Sequence, residues 1–145
     1  MKNHDLMLLR YMNVQSGNGF SVDKDLNDYK PTREAYAVGG ATESVECVDN
    51  DLLSFNAFRY TMELKIDFIE REVATYNYLN ERYFRNEDPL GNYQQVIGAW
   101  VNDDNYVYIE VSDIVFDREE AIALGKKRGE EAIWDFKNNC EINLT

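Results

Sequence analysis

The sequence predicts an α+β domain: a mostly antiparallel sheet of about five to six strands against one long central helix (or two) and one short C-terminal helix. Three observations carry this. Phe55, Phe58, Met62, Ile66, Ile69, Val73, Tyr76, Leu79 and Tyr83 recur every three or four residues, and no Gly or Pro interrupts them, as one apolar helix face requires. Val107, Ile109 and Val111 alternate with Tyr106, Tyr108 and Glu110, the period of a strand with one wet face. The stretch "IVFDREEAIALGKKRGEEAIWDFKN" reads as strand, capped helix, glycine stop and strand. With 145 residues, 44% of them hydrophobic and 13% aromatic, the chain is read as one globular domain, 1–145.

Taken in order, the apolar run Leu6–Val14 is expected as a first strand and Gln15–Gly19 as a turn. Asp23–Thr32, ending in Lys30-Pro31, is expected as a loop. Glu34–Val38 and Ala41–Val48 read as a hairpin about Gly39-Gly40, since two glycines reach positive φ at no steric cost. From Asp51 to about Phe84 the period is helical, with Asp67→Arg71 and Glu81→Arg85 as favourable i,i+4 pairs. Asn86–Gly91, with Pro89, ends that segment. A second hairpin joins Gln94–Val101 to Asn105–Val111 through Asn102-Asp103-Asp104. In the last unit Asp117 is the N-cap with Glu120 at N3, and Phe116 is placed to staple against Ala121. Glu119 and Glu120 suit the positive helix end, and Lys126, Lys127 and Arg128 the negative one. Gly129 supplies the left-handed stop before a returning strand through Trp134.

Charge is the compositional outlier. Against 15 Lys and Arg stand 27 Asp and Glu, a net −12, and half of it falls within residues 101–145. Such a field opposes nucleic acid and anionic membranes and favours basic partners. No apolar run approaches the ~18 residues of a membrane span, and the four apolar residues Leu6–Leu9 are too few for a signal core. Cys47 and Cys140 stand apart without CxxC spacing, which suits reduced thiols. A cytoplasmic protein is the expectation.

Chemistry-bearing patterns are weak. Asp23, Asp25, Asn27 and Glu34 match positions 1, 3, 5 and 12 of a calcium loop, but Asp28 stands where Gly is needed and Pro31 follows. The glycines at 17, 19, 39 and 40 do not open a helix after a strand, as a phosphate cradle would. His4, the only histidine, lies in a segment expected to be mobile, so neither a histidine triad nor a multi-histidine metal site is expected. No catalytic, cofactor or metal residues are assigned, and an enzyme is not expected. The acids Asp103, Asp104, Glu110, Asp113, Asp117, Glu119, Glu120, Glu130 and Glu131 could form an array resembling the phosphates of a nucleic acid. With Tyr106 and Tyr108 they make an acidic, aromatic surface. The partner-binding set is taken as Asp103, Asp104, Tyr106, Tyr108, Glu110, Glu119, Glu120, Glu130 and Glu131.

The Gly-Ala-Trp strand at 98–100, "YVYIEVS" at 106–112, "EEAIALGKK" and "AIWDF" together resemble small acidic open reading frames of bacteriophages and mobile elements. The resemblance spans about the last 50 residues, with "AYAVGGATES" at 35–44 a looser match. It implies a phage accessory protein, among which inhibitors of host defence systems are found, and it transfers no functional residue. The expected function is a non-enzymatic module that binds a basic host protein, DNA mimicry being one version. A small enzyme or ligand-binding domain using buried carboxylates or tyrosines, and a self-assembling structural component, are the competing readings.

Overall fold

A computed structural model describes residues 3–41, 46–79 and 94–145. Three helices and seven strands occur among them: α1 (His4–Gln15), β1 (Phe20–Val22), β2 (Tyr36–Val38), β3 (Glu46–Asp49), α2 (Phe55–Leu79), β4 (Gln95–Val101), β5 (Tyr106–Val115), α3 (Arg118–Lys127), β6 (Ala132–Asp135) and β7 (Cys140–Asn143). The α+β class is therefore correct, and the sheet is antiparallel at every pairing described. The order is β1-β4-β5-β2-β6-β7, with β3 also paired to β5.

The ten-residue β5 organises this sheet. One of its edges carries β4 from Val107 to Asp113. The other edge is divided: β3 takes Tyr106 to Ile109 and β2 takes Asp113 to Val115. The expected β2–β3 hairpin is thus replaced by two separate pairings to one strand. Of the two glycines only Gly40 has positive φ, +78°, whereas a two-residue type I′ turn needs both. After β2 the chain instead passes Glu110, against which Gly39 is buried.

Register sorts the β5 side chains onto two faces. Val107, Ile109 and Val111 join Met7 and Val14 of α1 and Phe58, Met62 and Ile69 of α2 in the main core. Val115 packs nearby with Tyr36, Val38, Ile133 and Ala121 of α3. All three helices therefore cover one face. The opposite face carries Tyr108, Glu110, Ser112 and Ile114, the last packed with Ala35, Ala37, Val96, Tyr29, Phe116, Trp134 and Phe136. No helix residue enters that second cluster.

Leu6–Val14 is a helix, not the expected strand. Its buried positions, Met7, Arg10 and Val14, follow helical spacing. Leu8, Leu9 and Met12 in the same run are exposed. Leu and Met are good helix formers, and only Val14 in this run is β-branched. His4 consequently lies in ordered helix, edge-on to Phe55 with centroids 5.7 Å apart. Arg10 is buried and productive: its Nε and Nη2 donate to the Leu26 carbonyl at 3.1 and 2.9 Å, and it pairs with Asp28 at 3.1 Å.

The long stripe forms one helix through Leu79. Arg71 Nε donates to the Asp67 carbonyl oxygen at 3.4 Å, while an i,i+4 pair forms between Arg59 and Glu63. Tyr83, the Glu81→Arg85 pair and the Asn86–Gly91 stop lie outside the described residues.

The β4–β5 hairpin forms, with β5 running on to Val115, and both ends of α3 are closed as expected. Asp117 Oδ2 accepts from Glu120 N at 2.9 Å, capping α3. At the other end Gly129 N donates to Lys126 O and Glu130 N to Gly125 O, with Gly129 at φ +73°; this pair of bonds is the Schellman closure. The expected Phe116–Ala121 staple does not form, because the two side chains enter clusters on opposite faces of the sheet. Phe116 lies beneath the Arg33 guanidinium, 4.2 Å from the ring centroid.

Candidate interaction surface and a buried carboxylate pair

The residues expected to bind a partner fall into three places. Asp103 and Asp104 are exposed in the β4–β5 turn, with Tyr106 exposed and Tyr108 half-buried just beyond. Glu119 and Glu120 are exposed in the first turn of α3, past the far end of β5. Glu110 is buried mid-strand, beside Glu130, and Glu131 is exposed next to it. A ten-residue strand rises about 30 Å, so Asp103 and Glu119 mark opposite ends of the sheet.

The turn end is preorganised by amides. Asn102 Oδ1 accepts from Asp104 N at 3.0 Å and from Tyr106 N at 2.9 Å. Asn105 holds φ +62°, a left-handed conformation that Asn tolerates. Behind the turn Asn50 is buried at 3% exposure. Its Nδ2 donates to Val14 O at 2.9 Å and to Asn105 Oδ1 at 3.0 Å, and its Oδ1 accepts from Gln15 Nε2 at 2.6 Å. Asn105 Nδ2 in turn donates to Asp51 Oδ1 at 3.1 Å. Three separate segments are thereby pinned together: the end of α1, the short 3-10 turn Asn50–Leu52, and the β4–β5 turn.

Aromatic surface adjoins those acids. Trp100 and Tyr108 are cross-strand partners whose rings lie 5.2 Å apart and 7° from parallel. Trp100 and Tyr106 are each 41% exposed. A hydrogen bond to Cys47 pushes the Tyr108 phenol up, and Asp104 adds to that shift. No Lys or Arg occurs in residues 34–58 or 94–117, the segments that supply β2–β5. Asp49, Asp51, Asp103 and Asp104 are therefore charged groups with no cation on the neighbouring strands.

Toward the other end one acid, Asp113, is paired with a cation. Asp113 accepts from Gln95 Nε2 at 2.9 Å and from Arg128 Nη2 at 2.5 Å. Arg128 Nη1 also donates to the carbonyls of Val38 and Gly39, at 3.3 and 3.0 Å. Against this knot sit Glu110 and Glu130: a Cβ on Gly39 would collide with Oε1 of both. Burial, then the neighbouring Glu130, pushes the Glu110 carboxyl up to about 7, against the opposing Gly40 N–H and Lys65. Burial also raises Glu130, with Arg128 opposing. The sequence shows both as acids, but their meeting against Gly39 follows from the long-range pairing of β2 with β5.

Trp100, Asp49 and the Gln15–Asn50–Asn105 amides were not among the expected partner-binding residues. Trp100 was legible: the 102–105 turn, folded on the sequence, sets it opposite Tyr108. The amide network carried no signal, because it links residues 35 and 55 positions apart. The calcium-like loop has a local use for its first acid: Asp23 Oδ1 accepts from Asp25 N and Asn27 N. No group of three or more potential metal ligands occurs among the described residues. Neither do they contain a helix long and apolar enough to cross a membrane.

Two cavities lie elsewhere. One, of about 260 Å³, runs between α2 and residues 24–26, walled by Asp25, Glu63, Asp67 and Glu70 over Met7, Leu26 and Ile66. The second, of about 290 Å³, lies against Tyr29, Lys30, Arg33 and Phe116. Neither includes Glu110 or Glu130. No family model matches the chain, and comparison with curated proteins and with solved structures gave no match.

Proposed function

We propose that the protein is a non-enzymatic, acidic interaction module that binds a basic segment of a protein partner at the β4–β5 turn. The role that fits is a phage- or element-encoded accessory protein acting on a host defence or DNA-binding protein. The observation that carries this reading is the pairing of exposed aromatic surface with uncompensated acid on a rigid support. Trp100 and Tyr106 are exposed beside Asp103 and Asp104, in strands without a Lys or Arg. Aromatic anchors with a charged rim are the usual make-up of a recognition patch, and a fixed turn reduces the ordering cost of binding.

Nucleic-acid mimicry is the less favoured version. A duplex the length of β5 carries roughly 18 phosphate charges. Here the acids divide between two ends, and Glu110 and Asp113 between them are buried or paired. Capture of a basic partner from host lysate, at low and high salt, tests the proposal. Asp103→Asn with Asp104→Asn should abolish salt-sensitive capture, while Glu119→Gln with Glu120→Gln should leave most of it. Equal capture by both variants would place the binding face elsewhere.

A second reading, a ligand-binding or catalytic domain, draws on Glu110 and Glu130, since a carboxyl with a pKa near 7 is of the kind used for proton transfer. The turn end is preferred because its aromatic and acidic groups are exposed, whereas Glu110 is buried.

A further inference from the structure

The surface around Trp100 selects among basic side chains, a refinement that rests on the basic-partner proposal. We infer that the partner's anchoring residue is an arginine, whose guanidinium stacks on the outward face of the Trp100 ring beside the Asp103-Asp104 turn.

The geometry begins with the neighbours of Trp100 on the helix-free face. Across β5 is Tyr108, stacked on one side of the indole. Across β1 the register Phe20↔Ala99 sets Gly19 next to Trp100. A Cβ at Gly19 would strike the Ala99 carbonyl, so this position stays bare. Two residues along β4, on the same face, stands Gly98, where an added Cβ would meet nothing within 4 Å among the described residues. The indole is thus walled on one side by a ring and bordered on two others by glycine. The result is a flat aromatic shelf, 41% exposed at Trp100, open to a planar group.

Charge then decides which planar group. Aromatic faces carry negative potential, the adjacent turn carries two carboxylates, and strands β2–β5 supply no cation. A phosphate-bearing base would be repelled by this field. An ammonium is a compact, strongly hydrated charge that loses much of its hydration on a flat, open ring. A guanidinium is planar, weakly hydrated, and can donate to a carboxylate from its edge while its face stays on the indole. The shelf therefore favours arginine over lysine.

Anisotropy titrations of the full chain with a labelled arginine-rich peptide, and with the same peptide carrying lysine at those positions, test this. The arginine peptide is expected to bind about fivefold more tightly at equal salt. Trp100→Leu should bring it down to the lysine peptide's affinity, and Trp100→Tyr should keep a preference. Thermal melting checks that each variant is folded. Should Trp100→Leu unfold, Gly98→Gln obstructs the shelf from an open position and should produce the same loss. Equal affinity for both peptides, unchanged by Gly98→Gln, overturns the arginine inference and leaves the basic-partner proposal standing. Failure of both peptides to bind at low salt overturns both.

Discussion

Each end of β5 is held by one polar side chain, and the two solutions differ in kind. At the Tyr106 end the pin is Asn50, a neutral amide that satisfies Val14, Gln15 and Asn105 and leaves the acids outside. At the Val115 end it is Arg128, a cation that binds Asp113 and the carbonyls of Val38 and Gly39, beside the buried Glu110 and the half-buried Glu130. A neutral pin makes no demand on the charge around it, so the acids near Asn50 are free to face a partner. An ionic pin draws neighbouring acids into local compensation. The same residue type, an Asp or Glu on a strand or turn, is outward surface at one end and internal structure at the other.

Breaking the neutral pin should cost most. Asn50→Ala removes the three hydrogen bonds that this buried amide makes with Val14, Gln15 and Asn105 and should lower stability by about 3 kcal/mol, about 1 for each bond, measured by urea unfolding. It should also loosen the acidic turn, seen as faster amide exchange at Tyr106. If stability drops while that exchange is unchanged, the two are not coupled. Breaking the ionic pin with Arg128→Met should cost somewhat less, about 2 kcal/mol, because solvent reaches part of the pair. Its exchange signature should appear at β2 and spare the β4–β5 turn.

Glu110 sharpens the contrast through pH. Its folded pKa of about 7 lies above the ordinary 4.5, so the folded state holds a proton that the unfolded state has lost. Stability should therefore be highest below about pH 4.5 as far as this group is concerned, decline as pH rises to 7, and level off above. Glu110→Gln should remove that decline and raise stability at pH 8 by about 2 kcal/mol. An unchanged pH slope would mean that Glu110 does not titrate as the burial implies. Asp103→Asn with Asp104→Asn should change stability least, by less than about 0.5 kcal/mol. A larger effect would make the turn acids structural.

What could be read directly depended on range in sequence. The Asp117 cap, the Gly129 stop and the β4–β5 turn are local, and their residues state the geometry. The Leu6–Val14 helix was misread because an apolar run without alternation suits a buried strand as well as a helix with apolar residues on several sides. The β2–β3 hairpin was misread because Gly39-Gly40 is a good turn signal, but the long β5 outcompetes local pairing. At the candidate surface, Asp103, Asp104, Tyr106 and Tyr108 were visible as a group. Glu110 was not visible as a buried group, since its burial depends on residues 39, 40 and 130 meeting it. Likewise nothing local tells that Asn50 supports a turn 52 residues later.

The divided edge of β5 also sets an order of events. β1, β2 and β3 pair with none of one another; each pairs with β4, β5 or β6. A chain emerging from the ribosome would therefore carry its first three strands without partners until residues 95–115 had emerged. Only then can the β4–β5 hairpin, closed by a short turn and cheap in loop entropy, act as the template on which earlier strands settle. The sheet is assembled backwards along the chain: the strands synthesised first are placed only after the later β4–β5 pair exists.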